Sequence, residues 1–175
     1  TDAGLLQTRC VRDGHEAELR FPAFDVATPL ELPLQDGEQS VWLGSVGVPH
    51  LVVVTRDAMA VNLPVRGREL RHDAALGPQG ANVNFVSPPA EGEGETAWTI
   101  RTFERGIEGE TLACGTGTVA SAFALAASGA VGLPAEFVTS RGIRLTVSGQ
   151  FNAGRAGEAW LRGEGRLVCT GILHG

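Results

Sequence analysis

An almost uncharged apolar segment, residues 110–132 (ETLACGTGTVASAFALAASGAVG), places the strongest constraint on how this chain folds. After Glu110 it contains no charged side chain. Gly132 and Pro134 are helix stop signals, so the pattern predicts a helix over about residues 116–130. A helix that is apolar on nearly all sides is stable only when it is enclosed, so the rest of the chain must surround it.

The remainder of the chain has the pattern of a strand-rich protein. It contains 24 glycines among 175 residues, and short apolar runs between them predict strands joined by tight turns. We expect Trp98, Ile100 and Phe103 to share one face of a strand, opposite Thr99 and Arg101. The predicted strands are 41–46, 51–55, 83–86, 98–103, 136–139, 143–148, 158–162 and 167–170, with a hairpin over 5–24, an extended linker over 27–33 and a short helix over 65–75. The sequence therefore predicts an α+β fold, in which a curved, mostly antiparallel or mixed sheet wraps around a central apolar helix.

The composition disfavours several classes of function. The chain has 20 acidic and 14 basic side chains and a net charge of -6, without the basic patch that a nucleic-acid-binding protein needs. Its longest apolar run, residues 119–131, is too short to span a membrane. The cysteines at positions 10, 114 and 169 have neither disulfide-framework nor metal-cluster spacing, so we expect a cytoplasmic protein without a metal site.

Cys114 stands directly before the predicted helix, where backbone N–H groups and the helix dipole favour negative charge. This position predicts a lowered pKa for the thiol. Gly115 and Gly117 carry no side chain, so a ligand carboxylate can approach the same N–H groups. One short motif could thus hold an anionic substrate and present a base to it. The alternative, a buried cysteine that only caps a core helix, stays open on this motif alone.

Polar residues upstream add candidates for a site. Glu104 and Arg105 end a predicted strand, and an arginine in a cleft can hold a carboxylate through two parallel hydrogen bonds, while a glutamate can hold an amine. A surface ion pair is the alternative interpretation. His50 in GVPH could be structural, and Asn82 and Asn84 in GANVNF could be turn residues.

Taken together and in this order, the segments GVPH, GANVNFV, IRTFERGIEGETLACGTGTVASA and CTGILHG resemble the C-terminal part of diaminopimelate epimerase. The resemblance implies an isomerase that interconverts LL- and meso-2,6-diaminopimelate without a cofactor, in the biosynthesis of lysine and peptidoglycan precursors. It also implies a homodimer whose subunits have two similar lobes, each a sheet wrapped on a helix.

The resemblance also assigns roles around the cysteine motif. In the family, two cysteines act as thiolate base and thiol acid, and Cys114 matches the one from the C-terminal lobe. Gly115 and Thr116 match the positions whose N–H groups bind the α-carboxylate of the substrate. These roles agree with the chemistry that the motif predicts by itself, because inversion at carbon needs one group to remove a proton and another to deliver one.

Further roles fall on the upstream residues. His50 and Glu104 match positions that tune the pKa values of the cysteines. Asn82, Glu104 and Arg105 match positions that bind the distal amino-acid group of the substrate. Val48 departs from the pattern, since the family commonly has a substrate-binding asparagine there.

The resemblance divides the chain into three parts. Residues 1–26 match the end of an N-terminal lobe, residues 27–163 the C-terminal lobe, and residues 164–175 a strand that returns toward the N-terminal lobe. The CGNG-type motif of the other catalytic cysteine has no counterpart, and we expect Cys10 and Cys169 to be structural. The chain by itself is therefore expected to lack activity.

Two other functions remain as alternatives. A proline or hydroxyproline racemase would share the fold and a CGTGT-like motif, but it needs no site for a second amino-acid group, so the ERG and GANVNF segments favour diaminopimelate. A non-catalytic half that acts as a binding or assembly partner is the alternative of another class. A thiol-dependent hydrolase has no support, since no Cys-His-Asn order is visible.

Overall fold

A computed structural model describes residues 6–11, 15–89, 96–165 and 170–171, and within them one mixed sheet and two α-helices. The strands are β1 (Thr8–Val11), β2 (Glu16–Phe21), β3 (Phe24–Asp25), β4 (Thr28–Pro29), β5 (Glu38–Val46), β6 (Val48–Thr55), β7 (Asn82–Ser87), β8 (Trp98–Glu104), β9 (Gly109–Thr111), β10 (Ala135–Thr139), β11 (Arg144–Asn152) and β12 (Arg155–Glu164). The helices are α1 (Leu63–Arg71) and α2 (Gly115–Ala127), and a 3-10 turn follows α1 at Ala74–Leu76.

The sheet is long and mostly antiparallel, as the sequence predicts. Its strand order is β1-β2-β12-β11-β10-β8-β7-β6-β5-β4, while β3 pairs with β12 and β9 with β8. Among the described strands, the pairs β6–β7 and β8–β10 are the parallel ones. Helix α2 contacts β5, β6 and β7 as well as β11 and β12, so strands from distant parts of the order meet on it. This confirms the predicted α+β fold, with a curved sheet around a central helix.

Helix α2 is enclosed over most of its length, because every residue from Gly117 to Leu125 is buried. The Phe123 ring meets Phe24 and Phe151 edge to face, with centroid distances of 5.1 and 6.0 Å. The helix ends earlier than the predicted residue 130. Gly129 adopts a φ of 78°, and this left-handed residue stops the helix before Gly132 can act.

A second apolar core lies on the other face of the sheet and is covered by α1. Phe103 belongs to this core with Leu63 and Leu70, whereas Trp98 and Ile100 pack in the core around α2. The prediction that Phe103 shares a face with Trp98 and Ile100 is therefore wrong. Side chains of a strand alternate between its faces, so residues separated by three positions point to opposite sides.

Several predicted elements are present with different bounds. Helix α1 begins at Leu63 rather than residue 65, because Pro64 is well suited to its first turn. Strands β11 and β12 are longer than predicted and form one hairpin. The hairpin predicted over residues 5–24 is confirmed by the antiparallel pairing of β1 and β2, while its turn at residues 12–14 lies outside the described residues.

The structure near the two ends of the chain provides little evidence on the predicted division into three parts. Strand β2 pairs with β12, so the hairpin extends the same sheet, and the boundary at residue 26 stays a prediction. Most of the strand predicted over residues 167–170 lies outside the described residues. In the described part of the chain, neither helix has the length and apolar content required to cross a bilayer.

A buried ion pair joins α1 to the sheet and gives a first test of the fold. Arg66 donates from Nε and Nη2 to the two carboxylate oxygens of Glu38 at 2.8 Å each, and the side chains are 6% and 3% exposed. Removing the Glu38 charge leaves the buried guanidinium with only the half-exposed carboxylate of Glu69, 3.1 Å from Nη1, as counter-charge. Glu38→Gln should therefore lower the free energy of unfolding by about 3 kcal/mol, the lower end of the range for a broken buried pair. Urea denaturation measures this loss.

The exposed pair Arg56–Asp36 supplies the control for this prediction. Its 2.7 Å contact joins side chains that are largely in solvent, so Asp36→Asn should leave the unfolding midpoint almost unchanged. Equal losses for the two variants would contradict the importance given to burial.

Candidate active site

Cys114 occupies the residue immediately before α2, as the sequence predicts. Strand β9 leads into it, and its backbone is extended, with φ −121° and ψ 104°. Its carbonyl oxygen accepts hydrogen bonds from the N–H and the hydroxyl of Thr118, both at 2.9 Å. The Cys114 Sγ lies 3.5 Å from the hydroxyl of Thr116. The half-buried thiol is thereby held at the beginning of a rigid, enclosed helix.

The predicted direction of the Cys114 pKa is wrong. Burial raises the pKa of the thiol, and the negative charge of Glu104 also raises it. The Thr116 hydroxyl and the N–H groups of Gly117 and Thr116 act in the predicted direction, but they do not outweigh desolvation. The thiol makes no full capping hydrogen bond. Cys114 is therefore a protonated thiol at neutral pH.

The glycines beside Cys114 allow close packing of the first helical turn. A Cβ on Gly117 would lie 2.2 Å from Oδ1 of Asn84 and 3.2 Å from the Cys114 Sγ. A Cβ on Gly115 would lie 2.8 Å from Cδ2 of Leu161. The absence of side chains is thus needed for contact with β7 and β12, in addition to the ligand access that the sequence suggests.

Glu104 and Arg105 lie at the end of β8 without an ionic partner in the described residues. The backbone N–H of Arg105 donates to Oδ1 of Asn82 at 2.8 Å, and its Nη1 lies 3.4 Å from Oε1 of Gln79. No carboxylate of the described chain lies within ion-pair distance of the Arg105 guanidinium, and no cation lies within that distance of Glu104. The alternative of a surface ion pair at this turn is therefore not what the structure contains.

His50 lies on β6 with no solvent exposure, next to Asn82 in the parallel register of β6 and β7. Burial lowers its pKa to about 4, and the positive charge of Arg105 contributes to the lowering. The ring is therefore neutral at pH 7. Its Nδ1 lies 3.3 Å from Nδ2 of Asn84, while its buried Nε2 has no hydrogen-bond partner among the described residues.

Asn84 is the residue that sequence reasoning missed. It lies within β7, fully buried, and is not a turn residue. The signal was present in the NVNF alternation, which places Asn82 and Asn84 on one face of a strand. Val48, where the resemblance leads one to expect asparagine, begins β6 two residues before His50 and offers only an apolar side chain.

The fold brings most of the predicted site residues together. His50 and Asn82 are register neighbours, Asn82 binds the backbone of Arg105, and Glu104 influences the charge state of Cys114. Of the other two cysteines, the structure describes one. Cys10 is exposed on the outer strand β1, and Cys169 lies outside the described residues.

A comparison with known families agrees with this arrangement. The sequence model described as diaminopimelate epimerase matches residues 43–159, a range that contains His50, Asn82, Glu104, Arg105 and Cys114. The chain belongs to this family. The matched range includes strand β9, which precedes Cys114, the enclosed helix α2, and strand β10, which follows α2.

Individual relatives support the same assignment. The chain is 41% identical over 183 residues to the diaminopimelate epimerase of Gemmatimonas aurantiaca, which covers all of this chain and 64% of that protein. It is 36% identical over 150 residues to the diaminopimelate epimerase of Aquifex aeolicus, with 84% of this chain and 52% of that protein covered. The chain thus spans about half to two thirds of the length of these curated relatives.

Solved structures with the same fold include a probable proline racemase from Agrobacterium radiobacter, with a TM-score of 0.66 and 22% identity. Its match covers 93% of this chain and 55% of that one. A hydroxyproline epimerase from Agrobacterium vitis gives a TM-score of 0.61, also at 22% identity, with 93% and 54% covered. At this identity the likeness shows the fold alone and leaves the substrate to be argued from the site.

The charge of Glu104 gives a test of the Cys114 environment. In a chain with Cys10→Ser and Cys169→Ser, ultraviolet absorbance of the thiolate reports the pKa of Cys114 alone. Because the carboxylate opposes ionisation of the thiol, Glu104→Gln should lower this pKa, while burial keeps it above that of Cys114 in the denatured chain. Glu136→Gln, a change at an exposed site on β10, is the control. An unchanged or higher pKa in Glu104→Gln would contradict the assignment.

The buried ring of His50 gives a pH-dependent stability. Its folded pKa of about 4 lies below its ordinary value of 6.5, so the unfolded chain binds the proton first as pH falls. The stabilisation is complete above about pH 6.5 and decreases toward pH 4, by about 3 kcal/mol in the free energy of unfolding. His50→Gln should flatten this decrease in urea denaturation measured across the range. Replacement of the exposed His15 by Gln should leave it unchanged, and a slope that persists without His50 would exclude this origin.

Proposed function

We propose that this member of the family acts as an amino-acid epimerase that interconverts LL- and meso-2,6-diaminopimelate. The observation that carries the proposal is the placement of Cys114 at the start of α2, within reach of the charge of Glu104, while Glu104 and its neighbour Arg105 have no ionic partner in the described residues. Charged groups left unpaired next to a nucleophilic side chain are suited to a ligand that carries both charges. An amino acid is such a ligand.

The chemistry requires a proton acceptor and a proton donor on opposite faces of the α-carbon. We assign one of these roles to Cys114 and the other to a second cysteine, as in the two-cysteine mechanism that the resemblance implies. The second cysteine would come from outside the residues that contact Cys114 here. A low-dielectric, closed site would support the carbanion-like transition state without a cofactor.

The elevated pKa of Cys114 has a consequence for its two roles. As a protonated thiol, it is ready to deliver a proton to the substrate at neutral pH. In the opposite direction it must first lose its proton, so the rate in that direction should rise with pH. This asymmetry follows from burial and from the nearby charge of Glu104 rather than from the helix N-terminus.

The proposed substrate contacts divide between two ends of the amino acid. The N–H groups of Gly115 and Thr116, at the positive end of α2 where no helical carbonyl satisfies them, would bind the α-carboxylate. Asn82, Glu104 and Arg105 would hold the distal group, where Arg105 pairs with a carboxylate and Glu104 with an ammonium group. Val48 supplies no polar contact, so the distal group would have fewer protein partners than the family pattern suggests.

The wider setting is proposed from the family. The enzyme would work without a metal or cofactor, as a homodimer in the cytoplasm, in the biosynthesis of lysine and peptidoglycan precursors. His50 would tune the cysteine pKa values together with Glu104, and it would do so as a neutral ring. Residues 1–26 and 164–175 would belong with an N-terminal lobe that supplies the other cysteine.

An epimerisation assay tests the proposal. The natural protein that contains this chain should convert LL-diaminopimelate to the meso form, measured by appearance of the meso product, and Cys114→Ser should lower kcat by about 10²-fold or more because a proton-transfer group is lost. Cys10→Ser, at an exposed position, is the matched cysteine control.

Two outcomes would contradict the proposal or its details. A higher kcat/KM for L-proline than for LL-diaminopimelate would favour a racemase of the same fold. The purified 175-residue chain should show no turnover by itself. Turnover by that chain, lost in Cys114→Ser, would overturn the requirement for a second cysteine.

A further inference from the structure

The side chain of Asn84 joins two parts of the candidate active site that are far apart in sequence. We propose that Asn84 is a positioning residue that fixes His50 as the neutral imidazole whose proton is on Nε2. The involvement of His50 in a reaction rests on the proposed function, whereas the proton position itself does not.

The orientation of the Asn84 amide follows from its two other contacts. The backbone carbonyl of Leu51 lies 3.2 Å from Nδ2 and can only accept a hydrogen bond, so the NH₂ group must face it. The Thr102 hydroxyl then donates to Oδ1 at 2.9 Å. A flipped amide would place two acceptor oxygens, Oδ1 and the Leu51 carbonyl, against each other. The amide therefore has one orientation.

This orientation determines the tautomer of His50. The second N–H of the Asn84 NH₂ group faces Nδ1 of His50 at 3.3 Å, so Nδ1 must accept and cannot carry a proton. In a neutral ring the proton is then on Nε2. A doubly protonated ring would bring Nδ1–H against the NH₂ group, which makes the cationic form unfavourable in this position.

The result is a buried hydrogen-bond donor that the described residues do not use. Nε2 of His50 is fully buried and has no hydrogen-bond partner among the described residues, and an unpaired buried donor is costly. The chemical class that would satisfy it is an anionic or lone-pair acceptor, such as a carboxylate or a thiolate. A cationic group would not, because the ring presents N–H there.

The same amide also supports the cysteine motif. Its Oδ1 lies where a Cβ on Gly117 would clash at 2.2 Å, so the first turn of α2 rests on Asn84. The Gly117 N–H is one of the groups that favour the Cys114 thiolate. From its position on β7, Asn84 therefore determines which nitrogen of His50 carries the proton, and it also packs against the helical turn that follows Cys114.

Nitrogen NMR of the histidine rings tests the inference directly. The chain contains 4 histidines, and in protein with ¹⁵N-labelled histidine the His50 signals are assigned by their loss in His50→Gln. At pH 7 we expect a protonated Nε2 and an unprotonated Nδ1 for His50. A ring with its proton on Nδ1, or a mixture of tautomers, in the unsubstituted protein would overturn the proposal.

Two variants distinguish the effect of the Asn84 NH₂ group from the effect of the neighbouring Thr102 hydroxyl. Asn84→Asp replaces the NH₂ group by an acceptor, so the His50 proton should appear on Nδ1. Thr102→Val removes only the donor to Oδ1, and because the Leu51 carbonyl still orients the amide, the Nε2–H tautomer should persist. No change in Asn84→Asp, or the same change in both variants, would contradict the mechanism of positioning.

Kinetics of the natural enzyme link the tautomer to the reaction. Asn84→Asp should lower kcat by about tenfold or more with little change in KM, a part of the contribution that a positioned acid–base group makes. An altered tautomer with unchanged kcat would overturn the positioning role. A protein with the expected tautomer but no activity on diaminopimelate would instead contradict only the proposed function.

Discussion

Enclosure of the apolar helix α2 by the sheet is the constraint on which the rest of the molecule depends. A helix buried from Gly117 to Leu125 cannot meet solvent along its sides, so the sheet must curve until distant strands contact it. Its N-terminal residues Gly115 and Thr116 are only partly buried, and their N–H groups are not satisfied by any helical carbonyl. Because the sheet holds α2 on its sides, the polar N-terminal end of the helix is fixed in place, and Cys114 lies there.

Enclosure also decides the chemistry of that position. The N–H groups of the first turn favour a thiolate, but desolvation by the same surroundings and the charge of Glu104 favour the thiol, and the second set prevails. His50 shows the parallel case for a base, because burial keeps its ring neutral. Both groups are therefore uncharged at neutral pH, and the charges that act on them belong to Glu104 and Arg105.

The sequence was sufficient where a pattern reports a local cause. The uncharged run predicted an enclosed helix, CGTG before it predicted a cysteine at its start, and the alternation around Ile100 predicted a strand. It was insufficient for properties that depend on opposing energetic effects or on contacts between residues far apart in sequence. The Cys114 pKa depends on how much water packing removes, and the role of Asn84 depends on His50 and Leu51, which only the pairing of β6 with β7 brings near it. The end of α2 was misplaced because Gly129 acts before Gly132.

The contact between Asn84 and Gly117 has a consequence for how such a site can change over generations. A side chain at position 117 would require the Asn84 amide to move or a smaller residue at position 84, and either change would release the ring of His50 from its fixed proton arrangement. Substitutions at position 84 in GANVNF and at position 117 in CGTGT are thus expected to depend on each other, although the two segments are separated along the chain. A chain in which only one of the two positions has changed would have either the first turn of α2 or the imidazole of His50 displaced.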